Sequence, residues 1–187
     1  MKQLWLLAGG NGAGKSTFYN TQLKPLGLPF INADLIAREL FPEAPEAHSY
    51  DAAKIAETLR HNLLAQGKSF CFETVFSHPS KVDFVARAKA LGYTVVLVYI
   101  HLSSTALNKA RVAQRVAMGG HAVPEEKIES RVPRSIEQVQ AALPLCDEAW
   151  LLDNSSADNP MLPVLHIEQG LRKPLCKPLP EWVKTWL

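Results

Sequence analysis

Residues 6–17 read LLAGGNGAGKST, an apolar run that breaks into spaced glycines and then delivers a lysine and two hydroxyls. Gly9, Gly14, Lys15 and Ser16 satisfy G-x-x-x-x-G-K-[ST], and the context that gives this pattern meaning is present: a strand-like run before it and a helical pattern after it. Glycines let successive backbone N–H groups turn inward around phosphate oxygens, and the following helix adds the positive end of its dipole. Lys15 reaches the outer phosphates and Ser16 serves as a magnesium ligand. The run Gly9, Gly10, Asn11, Gly12, Ala13, Gly14, Lys15, Ser16 and Thr17 therefore predicts a cradle for a nucleoside triphosphate, ATP, with Mg2+. A turn that merely joined strand to helix would need neither lysine nor hydroxyl; a cradle that binds without catalysing stays open.

Outward from the cradle, apolar runs that read as strands fall at 3–8, 29–32, 69–72, 93–102, 148–152 and 162–167. Helical patterns lie between them, at about 15–24, 33–40, 49–66, 79–91, 104–118 and 133–143. Continuous apolar strands alternating with helices predict an α/β P-loop fold: a five- to six-stranded, mostly parallel sheet with helices on both faces. With 187 residues, 47% of them hydrophobic, a single domain spanning 1–187 is expected. A Pro-rich tail at about 171–187 would be strapped to the body by Trp182 and Trp186. A formal net charge of +2 argues against a broad nucleic-acid footprint. No run reaches the roughly 18 apolar residues of a membrane span, and the start is too short for a signal peptide, so a cytoplasmic protein without nucleic-acid or membrane partners is expected. Cys71, Cys146 and Cys176 are scattered and odd in number, which reads as packing and not as a disulfide or zinc set.

In an open parallel sheet, ligands bind where the strands deliver their carboxyl ends. That rule singles out Asp34, past the second strand, and Glu73, at the end of the third. Asp34 reads either as a helix cap or first-turn acid, or as the carboxylate that takes the proton of an attacking hydroxyl. Glu73 follows an apolar run and reads as a partner for magnesium-bound water or a substrate hydroxyl, or as a structural acid; Thr74 and Ser77 read as caps of the next helix. Residues 103–121 carry Lys109, Arg111 and Arg115 and no acid, and after Gly119 and Gly120 come Lys127, Arg131 and Arg134. Two cation-bearing helices about a glycine hinge predict a small helical lid, at about 111–134, that closes on phosphates. The alternative is a pair of solvated basic faces, with Glu125, Glu126 and Glu129 as partners; Lys109 and Arg134 individually read as surface residues. His78 and His121, lacking an orienting carboxylate, read as loop residues, while Asp153 and Asn154 fall at the nucleotide edge.

The motifs GGNGAGKST, INADLIA, FETVFSHPSK and RVAQRVAMGGHAVPEEKIESRVPRS, taken in order, resemble the zeta-toxin-like family of small P-loop kinases, and cover most of residues 4–135. Characterised toxin members of that family phosphorylate UDP-N-acetylglucosamine. The resemblance implies ATP and magnesium at Lys15, Ser16 and Thr17, a base at Asp34, substrate at Glu73 and Thr74, and a lid clamp from Arg115 and Arg131. It also makes an antitoxin partner conceivable, although no residue here specifies one. Family toxins often carry Asp-x-Asp followed by an aromatic residue and Arg after the second strand; here the chain has Asn32, Ala33, Asp34 and then Leu35, Ile36 and Ala37. The expected activity is ATP-dependent phosphoryl transfer to an alcohol group of a small metabolite, an amino-sugar nucleotide leading. A nucleoside, antibiotic or sugar-acid kinase and a non-kinase ATPase switch are the alternatives.

Overall fold

The computed structural model describes residues 1–120 and 122–187; His121 lies outside the described residues. Seven strands form one sheet in the order β2-β3-β1-β4-β5-β6-β7: β1 (Gln3–Gly9), β2 (Phe30–Ile31), β3 (Phe70–Thr74), β4 (Thr94–His101), β5 (Glu148–Asp153), β6 (Leu162–Glu168) and β7 (Leu171–Pro174). The first five run parallel, β6 runs antiparallel to β5, and β7 runs antiparallel to β6. The helices are α1 (Lys15–Phe18), α2 (Ala33–Leu40), α3 (Ser49–Ala65), α4 (Ser80–Ala90), α5 (Thr105–Ala117), α6 (Glu125–Ala142) and α7 (Glu181–Lys184). The helix after the glycine run loosens at once, passing into a π-turn over Tyr19–Leu23 and a 3-10 turn over Lys24–Leu26.

Side chains alternate across a strand, so a sheet covered on both faces needs apolar residues at odd and even positions alike. The central strands supply them. Leu4, Leu6 and Ala8 of β1 and Val95, Leu97 and Tyr99 of β4 join one core with Phe70, Phe72, Phe84 and Val139. Leu7, Val98 and Ile100 point the other way, into a smaller core with Ala13, Leu23 and Cys71. The Cys71 and Cys146 thiols are pushed up to about 12 by burial, consistent with packing roles.

Two elements depart from the sequence reading. Helix α6 begins at Glu125 and carries Pro133 inside it, although Pro133 marks the expected start of that helix. Proline is costly there, and Ile128 and Val139 lie buried on either side of it. The tail, in turn, begins as strand β7, whose four residues are all exposed and so give no apolar signal; Gln169 and Gly170, both at positive φ, turn the chain back onto β6. Beyond it the tail packs as expected. Trp186 stacks on Tyr99 with centroids 5.5 Å apart, Trp182 stacks on His101 at 4.1 Å, and the Trp182 indole donates to Asp153 Oδ2 at 2.7 Å.

Candidate active site

β1 lies between β3 and β4, so the loop after it opens where the crossovers diverge to either side. Its backbone is held by two asparagines distant in sequence. Asn108 Nδ2, from α5, donates to Asn11 O at 2.6 Å, and Asn154 Nδ2, after β5, donates to Ala13 O at 2.8 Å. This close clamping explains the glycines. A Cβ on Gly12, at φ 77°, would stand 2.9 Å from Asn108 O, and one on Gly14, at φ 99°, would stand 2.7 Å from Asn154 Nδ2. Asn108 and Asn154 are functional supports that sequence reasoning missed in this role, because an asparagine's partner at such separation leaves no local signature. Asn154 reaches the loop's own backbone, and Asp153 beside it is committed to Trp182 and Ser155.

Parallel pairing of β1 with β3 sets Leu7 opposite Glu73 and Ala8 opposite Thr74, which carries Glu73 to the loop. There its carboxylate gathers three side chains. Ser16 Oγ donates to Oε2 at 3.2 Å, Asn32 Nδ2 donates to the same oxygen at 2.8 Å, and Lys15 Nζ lies 3.7 Å from Oε1. Lys15, only 7% exposed, also donates to Gly9 O at 2.9 Å and Gly10 O at 3.0 Å. Burial pushes its ammonium below the ordinary lysine range, with the Glu73 and then Asp34 carboxylates acting against that shift.

Of the readings of Asp34, the structure removes the cap and leaves the first-turn acid and the proton-accepting carboxylate. Asn32 is the N-cap of α2, its Oδ1 accepting from Leu35 N at 3.1 Å, so the cap position is taken. Asp34 sits in the first turn and lines two adjoining cavities, of about 520 and 300 Å3, which share Asn32, Asp34 and Arg115. Arg38 and Arg111 line the larger; Lys15, Glu73, Thr74, Arg60, Lys81 and Arg131 line the smaller. Arg115 and Arg131, one from each helix of the expected lid, thus reach the Asp34 cavity. Burial, and then Arg134, lower the Arg131 guanidinium from its ordinary range.

Other expectations are redirected. Thr74 and Ser77 do not cap α4, whose N-cap is Pro79 without a side-chain bond. Thr74 Oγ1 instead accepts from Phe76 N at 3.0 Å, holding a turn in which Phe76 has φ 61°. Ser80 N donates to His78 Nδ1 at 3.2 Å, a loop role for that histidine. Lys109 bridges α5 to α6 through Glu125 at 3.0 Å and Glu129 at 2.5 Å, so the acids expected to serve the second helix reach across to the first. Arg111 Nη2 donates to Asn154 O at 2.8 Å, and Arg134 bonds within its own helix, to Ser130 O at 2.7 Å. Among the described residues no group of three or more His, Cys, Asp and Glu side chains could hold a metal, and no helix is long and apolar enough to cross a membrane.

The AAA domain family model matches residues 4–134. An uncharacterized protein of Haemophilus influenzae is 31% identical over 137 residues, which are 70% of this chain and 97% of that one. Among solved structures, a chain of the AvrRxo1-ORF1:AvrRxo1-ORF2 complex with sulphate ions superposes at TM-score 0.73 and 16% identity. The match takes in 100% of this chain and 62% of that one, so the chain spans less than two thirds of its neighbour's length. The same complex has been solved with ATP. A chain of the PezAT toxin-antitoxin system of Streptococcus pneumoniae gives TM-score 0.63 at 18% identity, covering 89% of this chain and 72% of that one. Shikimate kinase from Acinetobacter baumannii, in complex with shikimate, gives 0.50 at 14%, covering 84% and 86%. At these identities the likeness is one of fold: the P-loop kinase fold.

Proposed function

The chain belongs to the AAA domain family, and on that premise we propose that it is an ATP-dependent kinase that moves the γ-phosphoryl group to a hydroxyl of a small metabolite. The observation that carries the reading is the joining of Lys15, Ser16 and Asn32 on the single Glu73 carboxylate, with Asp34 on the wall of the same cavity. A phosphate cradle alone serves many ends; a second carboxylate in a cation-lined cavity facing it is what an acceptor hydroxyl requires.

In the reaction, the loop and Lys15 hold the phosphates of ATP. The acceptor oxygen attacks the γ-phosphorus as its proton passes to Asp34, the bond from that phosphorus to the bridging oxygen breaks, and the electron pair leaves with ADP. Arg115 and Arg131 approach from α5 and α6 and offset charge on the transferring group. The lid closure expected over 111–134 would bring them in and exclude water. The Ser16 hydroxyl and the Glu73 carboxylate, 3.2 Å apart, are the hard oxygen donors that would hold Mg2+ beside the phosphates. When bound, that ion supplies charge neutralisation at the β- and γ-phosphates. Glu73 then serves the cradle side of the site, and Thr74 shapes the turn at the acceptor side.

The zeta-toxin-like motifs make an amino-sugar nucleotide such as UDP-N-acetylglucosamine the first acceptor to test, and the toxin-antitoxin setting of the S. pneumoniae neighbour supports trying it. Growth arrest on expression, relieved by a co-expressed partner, would mark a toxin; normal growth would mark a metabolic kinase. The cytoplasm, where ATP is abundant, is the expected place of work. The central test is Asp34→Asn. Transfer should fall by at least about a hundredfold while ATP affinity, measured by calorimetry, stays at the wild-type value. Near-normal turnover would remove Asp34 from the mechanism, and hydrolysis indifferent both to this change and to metabolites would favour an ATPase switch.

A further inference from the structure

The smaller cavity contains a cation that the phosphoryl-transfer chemistry does not use. Arg60, on the fourth turn of α3, is 6% exposed. Its guanidinium carbon lies 5.0 and 5.7 Å from the ring centroids of Phe72 and Phe84, two rings set nearly perpendicular to each other. Rings hold the faces of a guanidinium and leave its N–H edge to find acceptors. Here that edge is short of them: the buried Nε has no hydrogen-bond partner, and among the described residues no carboxylate forms an ion pair with it. Glu57, one turn earlier, is exposed and acts on both cations without forming an ion pair with either among the described residues. Lys81, half-buried at the start of α4, lines the same cavity, likewise without an ion pair among the described residues.

Two cations drawn from water beside each other, with no carboxylate paired to either, are costly unless something negative completes them. Burial lowers both Arg60 and Lys81 from their ordinary ranges; Arg60 lowers Lys81 further, and Glu57 acts against the shift in both. Asp34 acts on Lys15 and Arg131. The one cavity thus holds the candidate proton-accepting carboxylate of α2 beside the cradle lysine, and the Arg60–Lys81 pair from α3 and α4. Its volume, about 300 Å3, is enough for a small metabolite to span both.

We infer that the acceptor carries an anionic group, a carboxylate or a phosphate, which Arg60 and Lys81 bind while its hydroxyl is presented to Asp34. This rests on the kinase reading above and narrows it. Neutral nucleosides, neutral sugars and cationic antibiotics are excluded as good acceptors, whereas hydroxy acids, sugar phosphates and sugar nucleotides are admitted. Arg60 is a substrate-binding residue in this scheme and takes no part in proton or phosphoryl transfer.

The test has a binding arm and a transfer arm. With the cradle saturated by magnesium and a non-hydrolysable ATP analogue, sodium sulfate is titrated against sodium chloride at matched ionic strength and thermal unfolding is followed. Sulfate should raise the wild-type Tm above the chloride control, and Arg60→Met should abolish the difference; equal responses in the two proteins overturn the subsite. If Arg60→Met does not fold, Lys81→Gln at the cavity rim is read in the same way. In the transfer arm, matched pairs are compared as acceptors: glucitol with gluconate, ribose with ribose 5-phosphate, N-acetylglucosamine with its UDP conjugate. Only anionic members should be phosphorylated, and the variant should raise their KM by at least about tenfold with little change in KM for ATP. A neutral member used as well as its anionic partner overturns the inference. Arg60-dependent sulfate binding without transfer to any hydroxyl compound would instead refute the kinase reading and leave the anion subsite standing; the carboxylate and phosphate arms identify which anion the site takes.

Discussion

Glu73→Gln keeps the shape of the side chain that joins Lys15, Ser16 and Asn32 and removes its charge. A Lys15–Glu73 separation of 3.7 Å corresponds, at an effective dielectric near 20, to about 4.5 kcal/mol of attraction. Solvent screens little of it, since the two side chains are 7% and 12% exposed. Lys15 keeps its two carbonyl acceptors, Gly9 O and Gly10 O, and the new amide oxygen still accepts from Asn32. The net loss should therefore be about 2–3 kcal/mol, below the figure for stripping a buried charge of all its partners. For a chain of 187 residues that is a fall of about 4–12 °C in Tm, read by differential scanning calorimetry without nucleotide. Magnesium-dependent turnover, assayed in parallel, should fall by about a hundredfold or more, because the same carboxylate positions the Ser16 hydroxyl. A variant that unfolds at or above the wild-type temperature would show that the charge contributes nothing to the folded state, and the electrostatic account of the site would fail.

Gly14→Ala places a Cβ at φ 99°, 2.6 Å from Met161 Cε and 2.7 Å from Asn154 Nδ2. It should cost about 1–3 kcal/mol and break the Asn154 latch, and calorimetry should find ATP affinity reduced; wild-type affinity and Tm together would refute the clamp. His101, stacked on Trp182, is lowered by burial to about 4 against an ordinary 6.5, so the unfolded chain binds the proton first as pH falls. The stability that neutral His101 contributes is complete above pH 6.5 and is lost progressively toward pH 4, by about 3 kcal/mol in all. Denaturant titrations followed by tryptophan fluorescence should show that decline, and His101→Gln should flatten it; the same slope in the variant would assign it to other groups.

The glycine run, the strands before and after it, and the order of helices were legible in the chain because each rests on local rules. Consecutive glycines, a lysine and hydroxyls have one physical use when a strand precedes and a helix follows, and apolar runs at strand length point to a covered parallel sheet. Asp34 was legible as a candidate, but whether it caps α2 depends on whether Asn32 already fills that place; it stands in the first turn, where a dipole-complementing acid and a proton acceptor would both stand. Glu73 was legible as an acid that needs a partner. Which partner it has follows from β3 lying beside β1, a pairing between residues more than sixty apart that no local pattern encodes. Strand β7 escaped notice because its residues are exposed on both faces, and α6 was expected too late because a proline is read as a boundary wherever propensity alone decides.

The amino-acid order by itself determined the fold of alternating strands and helices and the glycine loop that reads as a phosphate cradle, because both follow from neighbours in sequence and from the periods of strand and helix. Only the tertiary structure decided what surrounds that loop: the asparagine latches from α5 and the turn after β5, the joining of Lys15, Ser16 and Asn32 on Glu73, and the burial of Arg60 against two phenyl rings. Those arrangements arise where distant segments exclude water from the same space. The worth of a charge there is set by what is packed around it and not by what precedes it in the chain.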